Sequence, residues 1–150
     1  MKESDKLDNQ NKNEIPEPSS SLALELLVFI HKIYLYIYNI ALLGLFMFKR
    51  YAYDYEYAKI IYEVIIAIVA LILNVFRLRL TSIGNKTERA LILLGAIFIG
   101  LFNIVGYIYF LWLQTYVTYF DLVFSIIGLV ITFFEILFSF SIKKRNLVAF

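Results

Sequence analysis

The 150-residue chain has no cysteine, a single histidine and two prolines. Without cysteine there is no disulfide framework, no thiolate metal site, no cysteine nucleophile, and none of the disulfide-pinned outer loops of some four-span families. His31 leaves a histidine metal site or an Asp-His relay without a second member, so it is expected to be an interfacial residue. Pro16 and Pro18 both precede the apolar part of the chain, and the paired Gly/Pro-broken spans of many transporters are missing. No glycine loop suits a phosphate. Charge is scarce too: 17% of residues are charged, against 61% hydrophobic and 18% aromatic. A soluble domain of this size cannot hide that much apolar surface. The net charge of +2 gives no reason to expect nucleic acid as a partner. The composition implies an integral membrane protein with neither an enzyme site nor a cofactor.

The charges gather in residues 1–21, 49–57, 77–89 and 143–145. The apolar stretches between them are long enough to cross a hydrocarbon core of about 30 Å, which takes roughly 20 residues in a helix. The expected fold class is all-α, a four-span membrane bundle. Residues 1–21 are rich in Asp, Glu, Lys, Asn and Gln and read as a disordered cytoplasmic tail. This polar start does not suit a cleaved signal peptide, so the first span is expected to stay. The transmembrane domain is expected over 22–142, with spans at about 22–48, 58–80, 90–113 and 122–142, and residues 143–150 as a second cytoplasmic tail.

In the first span, Glu25, His31 and Lys32 are expected at headgroup level, with Lys32 snorkelling. Tyr51, Tyr53, Tyr55 and Tyr57 suit an interfacial belt. Ser82, Gly84 and Asn85 are expected to break the second span, and Asn85 with Glu88 has capping-box spacing for the third. Asp121 is expected to cap the fourth. The tail, the link between the second and third spans, and the C-terminal end together hold ten of the 14 bases, against three in the other two links. That bias predicts cytoplasmic termini and leaves the Asn85-Lys86-Thr87 sequon silent.

Polar residues within the spans need a reason, because an acid near mid-bilayer costs about 2.5–3.5 kcal/mol on insertion scales. In the second span Glu63, Ala67, Ala70, Asn74 and Arg77 recur at steps of four and three and share one helix face. In the fourth, Asp121, Ser125, Gly128, Thr132, Glu135 and Ser139 do the same, on a helix otherwise built of Ile, Leu, Val and Phe. The third span adds Ala96, Gly100 and Asn103, and the first adds Asn39, three residues after Tyr36. This small and polar seam is expected to face protein. Glu135 is expected to be neutral and hydrogen-bonded to Thr132, Asn103 or Asn74. A relay through Glu63 and Glu135 and the docking of a partner helix are the alternatives to plain packing.

Placed on these spans, several motifs resemble the transmembrane protein 216 and transmembrane protein 17 family of ciliary transition-zone proteins, over about residues 19–142. They are Leu24-Glu25-Leu26-Leu27, the acid Glu63, Arg77-Leu78 followed by Gly84-Asn85 and Glu88-Arg89, the run Leu113-Gln114-Thr115-Tyr116-Val117, then Asp121 and Glu135. The chain departs from the family in having Asn74 where a glutamate usually precedes the arginine, and Thr81 where a glycine is usual. The resemblance implies a non-enzymatic component of the complex at the ciliary base, which supports cilium assembly and restricts which membrane proteins enter. Its implied partners are tectonic-type and related multi-span transition-zone proteins, besides the lipid bilayer. A small transporter or channel, or an assembly subunit of another membrane complex, is the alternative.

Overall fold

The structure, a computed structural model, describes residues 20–53 and 56–148, with side chains up to residue 142. The tail expected over 1–21 therefore lies outside the described residues except for Ser20 and Ser21, as do the side chains of Lys143, Lys144 and Arg145. The described residues form four long helices: α1 (Leu22–Ala52), α2 (Tyr57–Thr87), α3 (Ala90–Ile108) and α4 (Tyr119–Val148). A π-helical turn, Tyr109–Leu113, prolongs α3 and closes on the bond from Gln114 N–H to the Tyr109 carbonyl, 3.1 Å. All four are long and apolar enough to cross a membrane. Each helix packs against its neighbours in sequence, and α4 closes the ring against α1, the up-down-up-down arrangement of a four-helix bundle.

The helix ends differ from expectation in three places, each with a local cause. First, α2 does not break at Ser82, Gly84 and Asn85 but continues to Thr87. Those residues are buried against neighbouring helices. Ser82 Oγ donates to Glu25 Oε1 at 2.7 Å, and a Cβ at Gly84 would stand 3.1 Å from the backbone nitrogen of Leu93. Glycine at this position lets α3 approach the end of α2. Second, Asn85 and Glu88 do not form a capping box for α3. Asn85 is inside α2, and Glu88 ends that helix in the left-handed region at φ 55°. The Asn85 side chain instead grips the start of α1: its Oδ1 accepts from Ser21 N–H and its Nδ2 donates to the Ser21 carbonyl, both at 2.9 Å. Ser21 Oγ in turn accepts from Leu24 N–H and caps α1. Third, Asp121 is not the cap of α4 but sits in its first turn. Thr118 precedes the helix, and its N–H and Oγ1–H both donate to Asp121 Oδ2, at 2.8 and 2.7 Å. Asp121 N–H reaches back to Thr118 Oγ1 at 3.4 Å. Threonine with an acid three residues on is a capping box, and the cap lies three residues earlier than expected.

The bundle's outer surface is apolar, with Ile40, Phe98, Val105 and Phe133 among the side chains standing exposed on it. Two apolar clusters fill the interior. One gathers Leu24, Val28, Leu35, Leu78, Leu93 and Ile142; the other gathers Tyr38, Leu42, Phe46, Ala67, Tyr107 and Phe110. Buried polar residues share the same interior stripes.

Gly128 sits where α4 meets the ring of Tyr107. A Cβ there would lie 2.4 Å from Tyr107 Cε1 and 2.6 Å from Cζ, and Tyr107 is itself held by packing against Tyr38. Gly128→Leu is expected to cost about 1–3 kcal/mol by overpacking. Leu129→Met, on the adjacent half-buried position, should cost less than about 1.5 kcal/mol, as volume-conserving swaps do. Denaturant unfolding of the two variants in detergent tests this, and equal losses would mean that Gly128 does not mark the packing face.

Candidate functional site

Side chains from all four helices meet at one point in the interior. Glu135 of α4 places Oε2 2.6 Å from Nη2 of Arg77 on α2 and 2.9 Å from Nδ1 of His31 on α1. The other imidazole nitrogen, Nε2, lies 3.4 Å from the hydroxyl of Tyr107 on α3. His31 and Glu135 are fully buried, Arg77 and Tyr107 nearly so. One carboxylate against one guanidinium balances the charge with His31 neutral. In that state Nδ1–H donates to Glu135, Nε2 accepts from the Tyr107 hydroxyl, and each nitrogen has one role. Arg77 Nη2 also approaches His31 Nδ1, at 3.1 Å, because both donors converge on the same carboxylate oxygen.

Local sequence explains how the cluster is reached. Gly100 on α3 clears a path for Arg77: a Cβ there would sit 3.4 Å from Arg77 Cδ and 3.0 Å from Ile136 Cδ1. Thr81, one turn beyond Arg77, donates its hydroxyl to the Arg77 carbonyl at 3.0 Å. Around the cluster lie further buried polar groups, Asn74, Asn103 and Thr132. Asn74, Asn103 and Tyr107 border a narrow cavity of about 10 Å³, the room of roughly one water.

A second buried pair closes the other end of the bundle. Lys49 Nζ on α1 stands 2.6 Å from Asp121 Oδ2 on α4, with both side chains fully buried. The oxygen that receives the ammonium is the one that anchors the Thr118 cap, so this pair ties the end of α1 to the start of α4. At the same end Glu63 Oε1 accepts from Thr115 N–H at 2.9 Å, and Tyr116 stacks on Tyr53 at 5.3 Å between centroids. The opposite end carries the Glu25–Ser82 bond, a Lys86–Glu25 pair at 3.1 Å and the Asn85–Ser21 clasp. Glu88 accepts from Ser20 N–H at 3.1 Å.

Of the seam residues, Glu63, Ala67, Asn74 and Arg77 on α2, Gly100 and Asn103 on α3, and Ser125, Gly128, Thr132, Glu135 and Ser139 on α4 are buried, while Ala70 is half-buried. Of the motif residues, Gly84, Asn85, Gln114 and Asp121 are buried, Glu25 is half-buried, and Glu88, Thr115 and Tyr116 are exposed at the helix ends.

Two expectations are corrected. His31 does not face outward but inward, to the centre of the cluster, because it falls on the inward stripe Leu24, Val28, His31, Leu35, Tyr38, Leu42, Phe46, Lys49 of α1. Glu135 takes Arg77 and His31 as partners, not Thr132, Asn103 or Asn74, since a cation reaching it across the bundle from α2 outcompetes neutral donors. Asn39 is half-buried beside that stripe, lines the same cavity as Asn74 and Asn103 and donates Nδ2 to the Leu35 carbonyl of its own helix at 2.7 Å, while Tyr36 faces outward. Lys49 is a member of the interior that sequence reasoning misses. Its signal is present in the sequence, since it stands at helical spacing with Leu42 and Phe46, but a lysine near a span's end resembles a topology marker.

The family model Transmemb_17, described as a predicted membrane protein, matches residues 26–132. No curated protein and no solved structure matches. The matched stretch includes His31, Arg77 and Tyr107, with Glu135 just past its end. The chain belongs to the Transmemb_17 family.

Proposed function

From this family membership we propose that the chain is a non-enzymatic membrane component of the ciliary transition zone complex, supporting cilium assembly and the gating of ciliary membrane protein composition. Both termini face the cytoplasm, as the distribution of bases indicates, and the neighbours are tectonic-type and related multi-span transition-zone proteins. The ciliary address rests on the family resemblance of the sequence. The observation that favours a scaffold is the single carboxylate of Glu135 holding His31 and Arg77 from two other helices. Strong polar groups used in this way lock the bundle from within and leave an apolar exterior for lipid and neighbouring spans.

A small transporter is the second reading. Buried polar residues do follow one another along the interior, from Ser82 through Glu135, Thr132 and Ser125 to Asp121, and such residues within membranes often mark ion or proton paths. Against it stands the pairing: the charged groups of both inner clusters hold one another at 2.6 Å, and a charge so held has to break its pair before it can carry anything.

One experiment tests location and orientation together. The full chain, tagged at both ends, is expressed in a ciliated cell. The expected result is a signal concentrated at the cilium base, with both tags open to antibody when only the plasma membrane is permeabilised. An even distribution over other membranes at normal abundance would defeat the transition-zone reading, and protected tags would invert the orientation.

A further inference from the structure

Among the described residues, a groove between α1 and α2 interrupts the apolar outer surface of the bundle. Lys32 and Tyr36, one turn apart on α1, and Arg79 on α2 border it, and Leu35, Val75 and Leu78 complete its lining. The groove offers about 240 Å³, short of the roughly 300–1,000 Å³ of drug-sized ligand sites but room for a single headgroup. Tyr36 and Arg79 are exposed and Lys32 is half-buried. Neither base belongs to an ion pair among the described residues. The groove's level in the membrane follows from helix geometry. Lys32 stands about 26 Å along α1 from Lys49, at 1.5 Å per residue, close to the thickness of a hydrocarbon core of about 30 Å. With Lys49 near one edge of the core, Lys32 and Arg79 lie near the other.

A lone base at that depth is accounted for by snorkelling toward water. Two bases brought by different helices to one groove, with a phenol hydroxyl beside them and aliphatic side chains lining the rest, make a surface with one cationic part and one apolar part. Arginine offers a planar fork for phosphate oxygens, and lysine a compact charge beside it. Basic pockets between spanning helices are the kind of place where anionic headgroups settle. We infer that the groove formed by Lys32, Tyr36 and Arg79 over Leu35, Val75 and Leu78 binds the phosphate headgroup of an anionic phospholipid, with an acyl chain against the aliphatic lining. This site goes beyond the transition-zone reading and does not depend on it. It does depend on the packing of α1 against α2, which the Glu135 cluster secures one residue from Lys32 and two from Arg79.

The test uses the purified full chain in detergent micelles, with retained lipid counted by native mass spectrometry as lipid is titrated in. Dioleoyl phosphatidic acid is expected to bind about tenfold or more tighter than dioleoyl phosphatidylcholine, on the scale of about 1 kcal/mol per base at a membrane surface. Lys32→Gln with Arg79→Gln is expected to abolish that preference. Lys59→Gln with Lys86→Gln, which removes the same charge from exposed positions, should keep it. Should the double groove variant fail to fold, Arg79→Gln alone is expected to weaken phosphatidic acid binding by a factor of about three to ten. Equal binding of the two lipids, an equal loss in both double variants, or an unchanged Arg79→Gln would overturn the site. Inorganic phosphate at the same concentration is expected to leave the occupancy of phosphatidic acid unchanged. If it displaces the lipid, the groove is a free-anion site and the lipid assignment falls.

Discussion

Replacing Glu135 by leucine is expected to destabilise the bundle by about 3–5 kcal/mol, the usual consequence of removing one member of a buried ion pair. The loss comes less from the missing attraction than from what remains. Arg77 would keep its charge in an interior where it is almost fully buried, with the nearest carboxylate gone. Glu135→Gln should fall between leucine and the parent, since the amide oxygen still accepts a hydrogen bond from Arg77 but brings no charge to balance it. Composition and spacing alone suggest instead that glutamine would behave almost like glutamate, because they place neutral partners around this position. The geometry reverses that expectation. Denaturant unfolding of the purified chain in mixed micelles measures the effect, and a glutamine variant that unfolds at the parent's midpoint would show that Glu135 carries no stabilising charge. The double variant Glu135→Leu with Arg77→Met is expected to regain most of the stability, because replacing both members of a buried pair by apolar residues is often neutral. Failure to regain it would point to lost packing as the main cost.

The second large effect is expected at the other end of the bundle. Lys49→Met removes the cation that faces Asp121 at 2.6 Å and should also cost about 3–5 kcal/mol. Asp121 has two tasks, the ion pair with α1 and the capping box with Thr118, and the two can be separated. The substitution Asp121→Asn removes the charge but retains a side-chain oxygen able to accept from Thr118. Lys49→Met together with Asp121→Asn is therefore expected to recover most of the loss, while Lys49→Met with Asp121→Leu should remain about 1 kcal/mol lower because the carboxylate half of the capping box is gone. If both double variants recover equally, the capping box adds nothing measurable to the start of α4.

The exposed chemistry and the buried chemistry of this chain come from neighbouring residues. His31 points inward to Glu135 while Lys32 borders the lipid-facing groove, and Arg77 and Arg79 divide in the same way on α2. A helix turns by about 100° per residue, so adjacent positions belong to different environments, and a cluster of bases read along the chain mixes two roles. That mixture is why the bases of the first two spans all resemble topology signals when read in order.

Membrane class, the number of spans and the two stripes of α2 and α4 are legible in the sequence because they are local. Hydropathy over about 20 residues marks a span, and steps of three and four mark a helix face whatever lies opposite. The length of α2 escapes a sequence reading for the opposite reason: Ser82, Gly84 and Asn85 are poor helix formers taken alone, and only burial against Glu25, Leu93 and Ser21 keeps them helical. Pairing lies beyond the sequence altogether. His31 and Glu135 are 104 positions apart, and nothing in the composition of either span says which side chain of another helix will lie at the same depth. The bundle decides it, by setting the register of four antiparallel helices so that one carboxylate can reach a guanidinium and an imidazole. Burial then makes that choice binding, because a charge without its partner has no water to turn to.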